Sequence, residues 1–182
     1  MVPAKGRATP PLNCTRVLWY SHCMRVAVFL GSSSDAEKMS GVTDVLTEFG
    51  VSHETYCISA HRAGALLQRT VQDVVAGGVE VIVAGAGLAA ALPGAIAGMT
   101  AIPVIGVPLA GEGGLGGLDA LLSIVQMPSQ IPVETVGINN AKNAGYLAVE
   151  MLSVKYPELR ERLFAFRKRL SDDAEHTLQQ FR

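Results

Sequence analysis

A chain of 182 residues fits one domain; 49% of it is apolar and only 17% charged, against roughly 25% charged in an average globular protein. That balance implies much buried surface, in a sheet covered on both faces or in contacts between subunits. The net charge of -1 gives no electrostatic reason for a nucleic-acid or membrane partner, and no apolar run nears the roughly 18 residues that span a bilayer.

In chain order, the first 23 residues stand apart. They hold Pro3, Pro10, Pro11 and scattered basic residues, with no Asp or Glu. Val17 to Tyr20 is too short an apolar stretch for a secretory core. The segment reads as a disordered leader or an upstream-start extension, with Met24 opening a domain over 24–156 and a C-terminal helix over 157–182. Its basic, acid-free character is also a weak organelle-targeting signal, against which its few serines count. Cys14, Cys23 and Cys57 are odd in number and form no C-x-x-C pair. A reducing, cytoplasmic setting therefore fits better than a disulfide framework. His22, His53, His61 and His176 show no ligand spacing, so no metal site is expected.

Arg25 to Leu30 is a compact apolar run ending at Gly31, and reads as a strand. Asp35 to Phe49 reads as a helix with Ser34 its cap and Gly50 its stop. Val51 to Ile58 is a more polar strand, suited to an edge. Arg62 to Ala76 reads as a helix closed by Gly77 and Gly78. Val81 to Ala84 is a short apolar strand, and Leu88 to Met99 a small-residue helix. Pro103 to Val107 is a fourth strand, Leu118 to Gln126 a helix, Val133 to Ile138 a fifth strand and Asn139 to Val154 a helix. Apolar strands alternating with helices predict an α/β fold: a three-layer, flavodoxin-like, doubly wound parallel sheet of about five strands. In such a sheet, ligands sit at the carboxyl ends of the strands. The loops beginning at Gly31, Ser59, Gly85, Pro108 and Asn139 are therefore expected to converge. Beyond Pro157, Leu159, Leu163, Phe166, Leu170, Ala174, Leu178 and Phe181 make one apolar stripe on a long charged helix. The stripe packs either on its own subunit or across a neighbour, and the neighbour is favoured because a protruding amphipathic helix needs a partner surface.

Four loops carry candidate chemistry. Gly31-Ser32-Ser33-Ser34-Asp35 opens a helix, where backbone N–H groups and hydroxyls attract an anion; helix capping explains the same residues equally well. It is neither a P-loop nor a dinucleotide fingerprint. Ser59-Ala60-His61-Arg62 joins a group that both gives and takes protons to a planar fork of donors suited to phosphate. The plainer reading is a helix-capping histidine beside a solvated arginine. Ala84 to Gly94 is a run of small residues that lets backbone approach a flat ligand or another subunit. Gly111 to Gly117 is a flexible segment, a lid or a linker.

Together these loops resemble the 5-(carboxyamino)imidazole ribonucleotide mutase family of purine biosynthesis and its carboxylase relatives. The matching pieces are GSSSD at Gly31 to Asp35, SAHR at Ser59 to Arg62, AGAG at Ala84 to Gly87, LPG at Leu92 to Gly94, GLDALLSIVQMP at Gly117 to Pro128 and NAKNA at Asn140 to Ala144. The resemblance runs from about Met24 to Leu152. It implies a homo-octamer with active sites built by neighbouring subunits. It implies that His61 is the acid–base group and that Ser32, Asp35 and Arg62 hold the ribose phosphate end. Ser59 lies in the same pocket, and Ser34 and Gly87 complete the expected substrate contacts. The implied reaction converts the N-carboxylated ribonucleotide to its carbon-carboxylated isomer and needs no organic cofactor. Arginine after the histidine favours the mutase branch over the carboxylases, which tend to have lysine there. Two positions depart from the family: Ala91 stands where a histidine usually precedes Leu-Pro-Gly, and Ala63-Gly64 replaces the usual Thr-Pro.

Overall fold

The computed structural model describes residues 25–180. The leader reading and Phe181 of the tail stripe lie outside the described residues. Five parallel strands form one sheet in the order β2-β1-β3-β4-β5. They are β1 (Arg25–Leu30), β2 (Ser52–Cys57), β3 (Val81–Gly87), β4 (Val104–Leu109) and β5 (Glu134–Thr135). The helices are α1 (Ala36–Glu48), α2 (Gly64–Ala76), α3 (Leu92–Ala97), α4 (Leu118–Val125), α5 (Ala141–Ser153) and α6 (Pro157–Gln180). This strand order is the flavodoxin-like doubly wound arrangement that the alternation of apolar runs predicts.

Side chains alternate across each strand, and both faces are apolar, so the sheet carries a core on each side. Val26, Val28, Val81, Val83, Ile105 and Val107 pack with α1, α5 and the start of α6. Ala27, Phe29, Ile82, Ala84 and Val104 pack with α2, α3 and α4. β2 is the polar edge, with Ser52, Glu54, Thr55 and Cys57 exposed. Tyr56 anchors it by stacking on Phe29 at 5.1 Å between ring centroids.

Several element ends differ from expectation, each for a local reason. Ser34 is not the cap: Ser33–Asp35 tightens into a 3₁₀ turn capped by Ser32, and α1 then starts from Asp35 as its N-cap with no side-chain capping bond. α2 starts at Gly64, which leaves Arg62 and Ala63 in the preceding turn. α3 is reduced to six residues, since Leu88 adopts a left-handed φ of 55° that no helix continues through. β3 and β4 run further than their most apolar runs, to Gly87 and Leu109. β5 shrinks to two residues, although the Val136 and Asn139 N–H groups still donate to the Gly106 and Pro108 carbonyls of β4 at 3.2 and 2.9 Å.

α6 is 24 residues long and divides in two. Its first half docks on its own chain: Leu159 and Leu163 are buried, and Arg162 Nη1 donates to the Phe49 carbonyl at 2.8 Å. Phe166 joins Phe49 and Tyr146 in an aromatic cluster, with centroids 5.0 to 6.0 Å apart. Farther along, Leu170 and Leu178 of the same stripe are exposed.

Candidate active site

The sheet's winding reverses between β1 and β3, and the loops leaving those strands part to either side of the gap. A cleft of about 710 Å³ opens there. Its wall comes from the loops after β1, β2, β3 and β4. The fifth loop does not reach it. Asn139 instead buttresses the β4 loop, its Oδ1 accepting the Ala110 N–H at 2.9 Å.

The loop after β1 is shaped by its own hydrogen bonds. The Ser32 hydroxyl accepts the Ser34 N–H at 3.4 Å, and Asp35 Oδ2 accepts the Ser32 N–H at 3.0 Å, a reciprocal capping box. The Ser34 hydroxyl donates to Ser32 Oγ at 3.0 Å. Gly31 N–H donates to the Gly85 carbonyl at 3.2 Å, which ties this loop to β3. Ser32, Ser34 and Asp35 thus present hydroxyls and a carboxylate to the cleft. Burial holds the Asp35 carboxyl above the usual carboxylate range; the Ser32 N–H and the Lys38 ammonium pull the other way.

From the β2 loop, Ser59 and His61 line the cleft, and His61 is exposed to solvent. Ile58 N–H bonds to the Leu30 carbonyl at 2.9 Å, so the β1 and β2 loops leave the sheet at the same level. Gly87, at the end of β3, also lines the cleft. A Cβ there would lie 3.0 Å from the Leu109 carbonyl oxygen, so glycine lets β3 and β4 end side by side. Ala91, at the position of the usual family histidine, is on the wall with Leu88 and Ala89. Of the seven site residues expected from sequence, six line one cleft. The seventh, Arg62, is exposed and stands outside the wall.

Two charged residues on the wall, Lys38 and Glu112, are not among the site residues expected from sequence. Lys38 lies one helical turn beyond Asp35, so it shares a face with a residue already singled out. Its place three residues beyond the Gly31–Asp35 loop is the signal the sequence holds. Glu112 lies in the glycine-rich segment, whose start therefore forms part of the cleft.

A model of the family described as AIR carboxylase matches residues 25–173. The chain belongs to the AIR carboxylase family. An Aquifex aeolicus protein named N5-carboxyaminoimidazole ribonucleotide mutase is 54% identical over 138 residues, 76% of this chain and 82% of that protein. A Pyrococcus abyssi protein of the same name is 51% identical over 144 residues, 79% of this chain and 82% of that one. The solved structure of Treponema denticola PurE covers 84% of this chain and 94% of its own, with a TM-score of 0.77. At 24% identity that last likeness speaks for the fold. Within the AIR carboxylase family frame, the matched span takes in all five strands, the cleft and the docked half of α6.

Proposed function

We propose that this chain is an N5-carboxyaminoimidazole ribonucleotide mutase, an isomerase that moves a carboxyl group from nitrogen to a ring carbon in purine biosynthesis. The observation that carries the reading is the meeting of Ser32, Ser34, Asp35, Ser59, His61 and Gly87 on one cleft, in a chain about half identical to proteins of that name. The serine hydroxyls and the backbone donors of the β1 loop receive the phosphate, and Asp35 accepts hydrogen bonds from the ribose hydroxyls. Arg62, one residue beyond His61, swings its exposed fork onto the phosphate from outside the wall.

In this reading the reaction has two halves. Protonated His61 gives its proton to the carbamate nitrogen; the carbon–nitrogen bond breaks and carbon dioxide leaves, with the electron pair staying on nitrogen. The enamine-like ring carbon then attacks the trapped carbon dioxide, forming the carbon–carbon bond. Neutral His61 takes the proton that the ring carbon must lose, and the cycle closes. Carbon dioxide has no charge to grip, so small apolar groups such as Ala60, Ala89 and Ala91 serve by leaving it a fitted space.

The protein works in the cytoplasm, with the small ribonucleotides it acts on, and assembles as a homo-octamer whose sites lie at subunit contacts. Exposed apolar side chains support the assembly: Leu66, Leu115, Leu118, Leu122 and Val125 are each 46–74% exposed in the isolated chain.

The test uses two substrates. Rapid conversion of N5-carboxyaminoimidazole ribonucleotide to the carbon-carboxylated product is the expected result. Conversion confined to aminoimidazole ribonucleotide with dissolved carbon dioxide would make the chain a carboxylase. Tight binding without turnover of either would make it a ligand sensor.

A further inference from the structure

Lys38 stands on α1 and reaches across the cleft wall to the base of the glycine-rich segment. Its Nζ donates to the Ala110 carbonyl at 2.5 Å. The other side of the same residue is held by Asn139, whose Oδ1 accepts the Ala110 N–H. An ammonium has three donors, and one carbonyl occupies only one of them. The remaining donors belong to a side chain that lines the cleft.

The charge of the cleft makes this ammonium matter. Its wall carries two carboxylates, Asp35 and Glu112, and the titratable His61. A phosphorylated, carboxylated ligand would meet repulsion from both carboxylates at short range. Arg62 is outside the wall, so among the described residues Lys38 is the one lysine or arginine in the lining. Burial holds the Asp35 carboxyl above its usual range, and the Lys38 ammonium offsets part of that rise.

We propose that Lys38 is a substrate-binding residue, donating to the anionic oxygens of the ribonucleotide while it tethers Ala110. Binding of the anion is thereby coupled to the position of the segment from Gly111 to Gly117. The inference rests on the reading that the cleft takes a ribonucleotide. Two oxygen groups of that ligand share the required chemistry, the phosphate and the carboxylate.

Steady-state kinetics of Lys38→Met and Lys38→Arg, with calorimetric titration of aminoimidazole ribonucleotide, decide the matter. The Met variant is expected to raise KM about tenfold to a hundredfold with kcat changed far less, as loss of a charge-assisted hydrogen bond would. The Arg variant should recover most of that loss, which a purely structural tether would not require. Equal weakening toward both ribonucleotides assigns the phosphate as partner, and weakening confined to the carboxylated one assigns the carboxylate. Unchanged KM and binding in the Met variant overturn the proposal. Should the parent turn over neither ribonucleotide, the functional reading fails by itself, and titration with ribose 5-phosphate judges Lys38. Weaker binding by the Met variant upholds it; equal binding, or none by the parent, overturns it.

Discussion

At the scale of single residues, the role proposed for His61 rests on its company. It is exposed, and what distinguishes it is the cleft it shares with Ser32, Asp35 and Ser59. His61→Asn should lower kcat by about a hundredfold to ten-thousandfold, the range of general acid–base catalysis. Its melting temperature should stay at the parental value, because no core packing is lost; turnover at the parental rate would remove His61 from the chemistry. Asp35 makes a different case, a cleft carboxyl whose charge the fold disfavours. Its folded-state pKa is raised by burial, so between its ordinary and its raised value the folded protein holds more protons than the unfolded chain. Its contribution to stability is therefore full below the ordinary value and falls as pH rises through the folded one. Asp35→Asn keeps an oxygen for the Ser32 N–H and drops the disfavoured charge. Thermal melts should show it more stable than the parent at neutral pH, with the gap closing in acid, while substrate affinity is lost.

At the scale of elements, close helix contacts set the shape of the layer behind the cleft. α1 and α5 meet through glycines: a Cβ on Gly145 would lie 2.8 Å from Val45 Cβ and 3.1 Å from the Val42 carbonyl oxygen. Alanine gains about 1 kcal/mol over glycine in a helix interior, but overpacking costs about 1–3 kcal/mol. A backbone oxygen cannot rotate away, so overpacking wins and Gly145→Ala should unfold at lower urea concentration. Gly64 is the control. Nothing lies within 4 Å of a Cβ there, so Gly64→Ala should be neutral or stabilising. Because α1 also carries Asp35 at its start and Lys38 in its first turns, a shift in the α1–α5 contact is expected to reach KM as well as stability.

At the scale of the whole molecule, the distal half of α6 carries apolar side chains that the described residues of its own chain leave exposed. The sequence-based preference for a neighbour across this stripe fails for its first half, where Leu159 and Leu163 are buried on their own chain; Leu170 and Leu178 remain exposed. A chain ending at Arg169 keeps the docked half, with Arg162 on Phe49 and Phe166 in its aromatic cluster. It should fold and sediment as a smaller assembly than the full chain. Sedimentation at the same size would take the distal stripe out of the subunit contact.

The class of the strand order, the two-faced core and the loops that meet at the cleft are legible in the amino-acid sequence. Runs such as Val81-Ile82-Val83-Ala84 are apolar at every position, and a strand of that kind must be covered on both faces. GSSSD and SAHR follow β1 and the polar edge strand β2, and AGAG closes β3, so the three motifs meet at one end of the parallel sheet. Only the tertiary structure decided what depends on distances through space. The capping hydroxyl is that of Ser32 rather than Ser34, because Ser33–Asp35 forms a 3₁₀ turn whose Ser34 N–H reaches Ser32 Oγ. Arg62 stands exposed in the turn before α2, which begins two residues later than its pattern implies, and is not part of the wall. Lys38 became part of the site through a carbonyl 72 residues away. Periodicity and motif describe neighbours along the chain, whereas a cleft at a switch point is built by residues whose only link is the folded sheet beneath them.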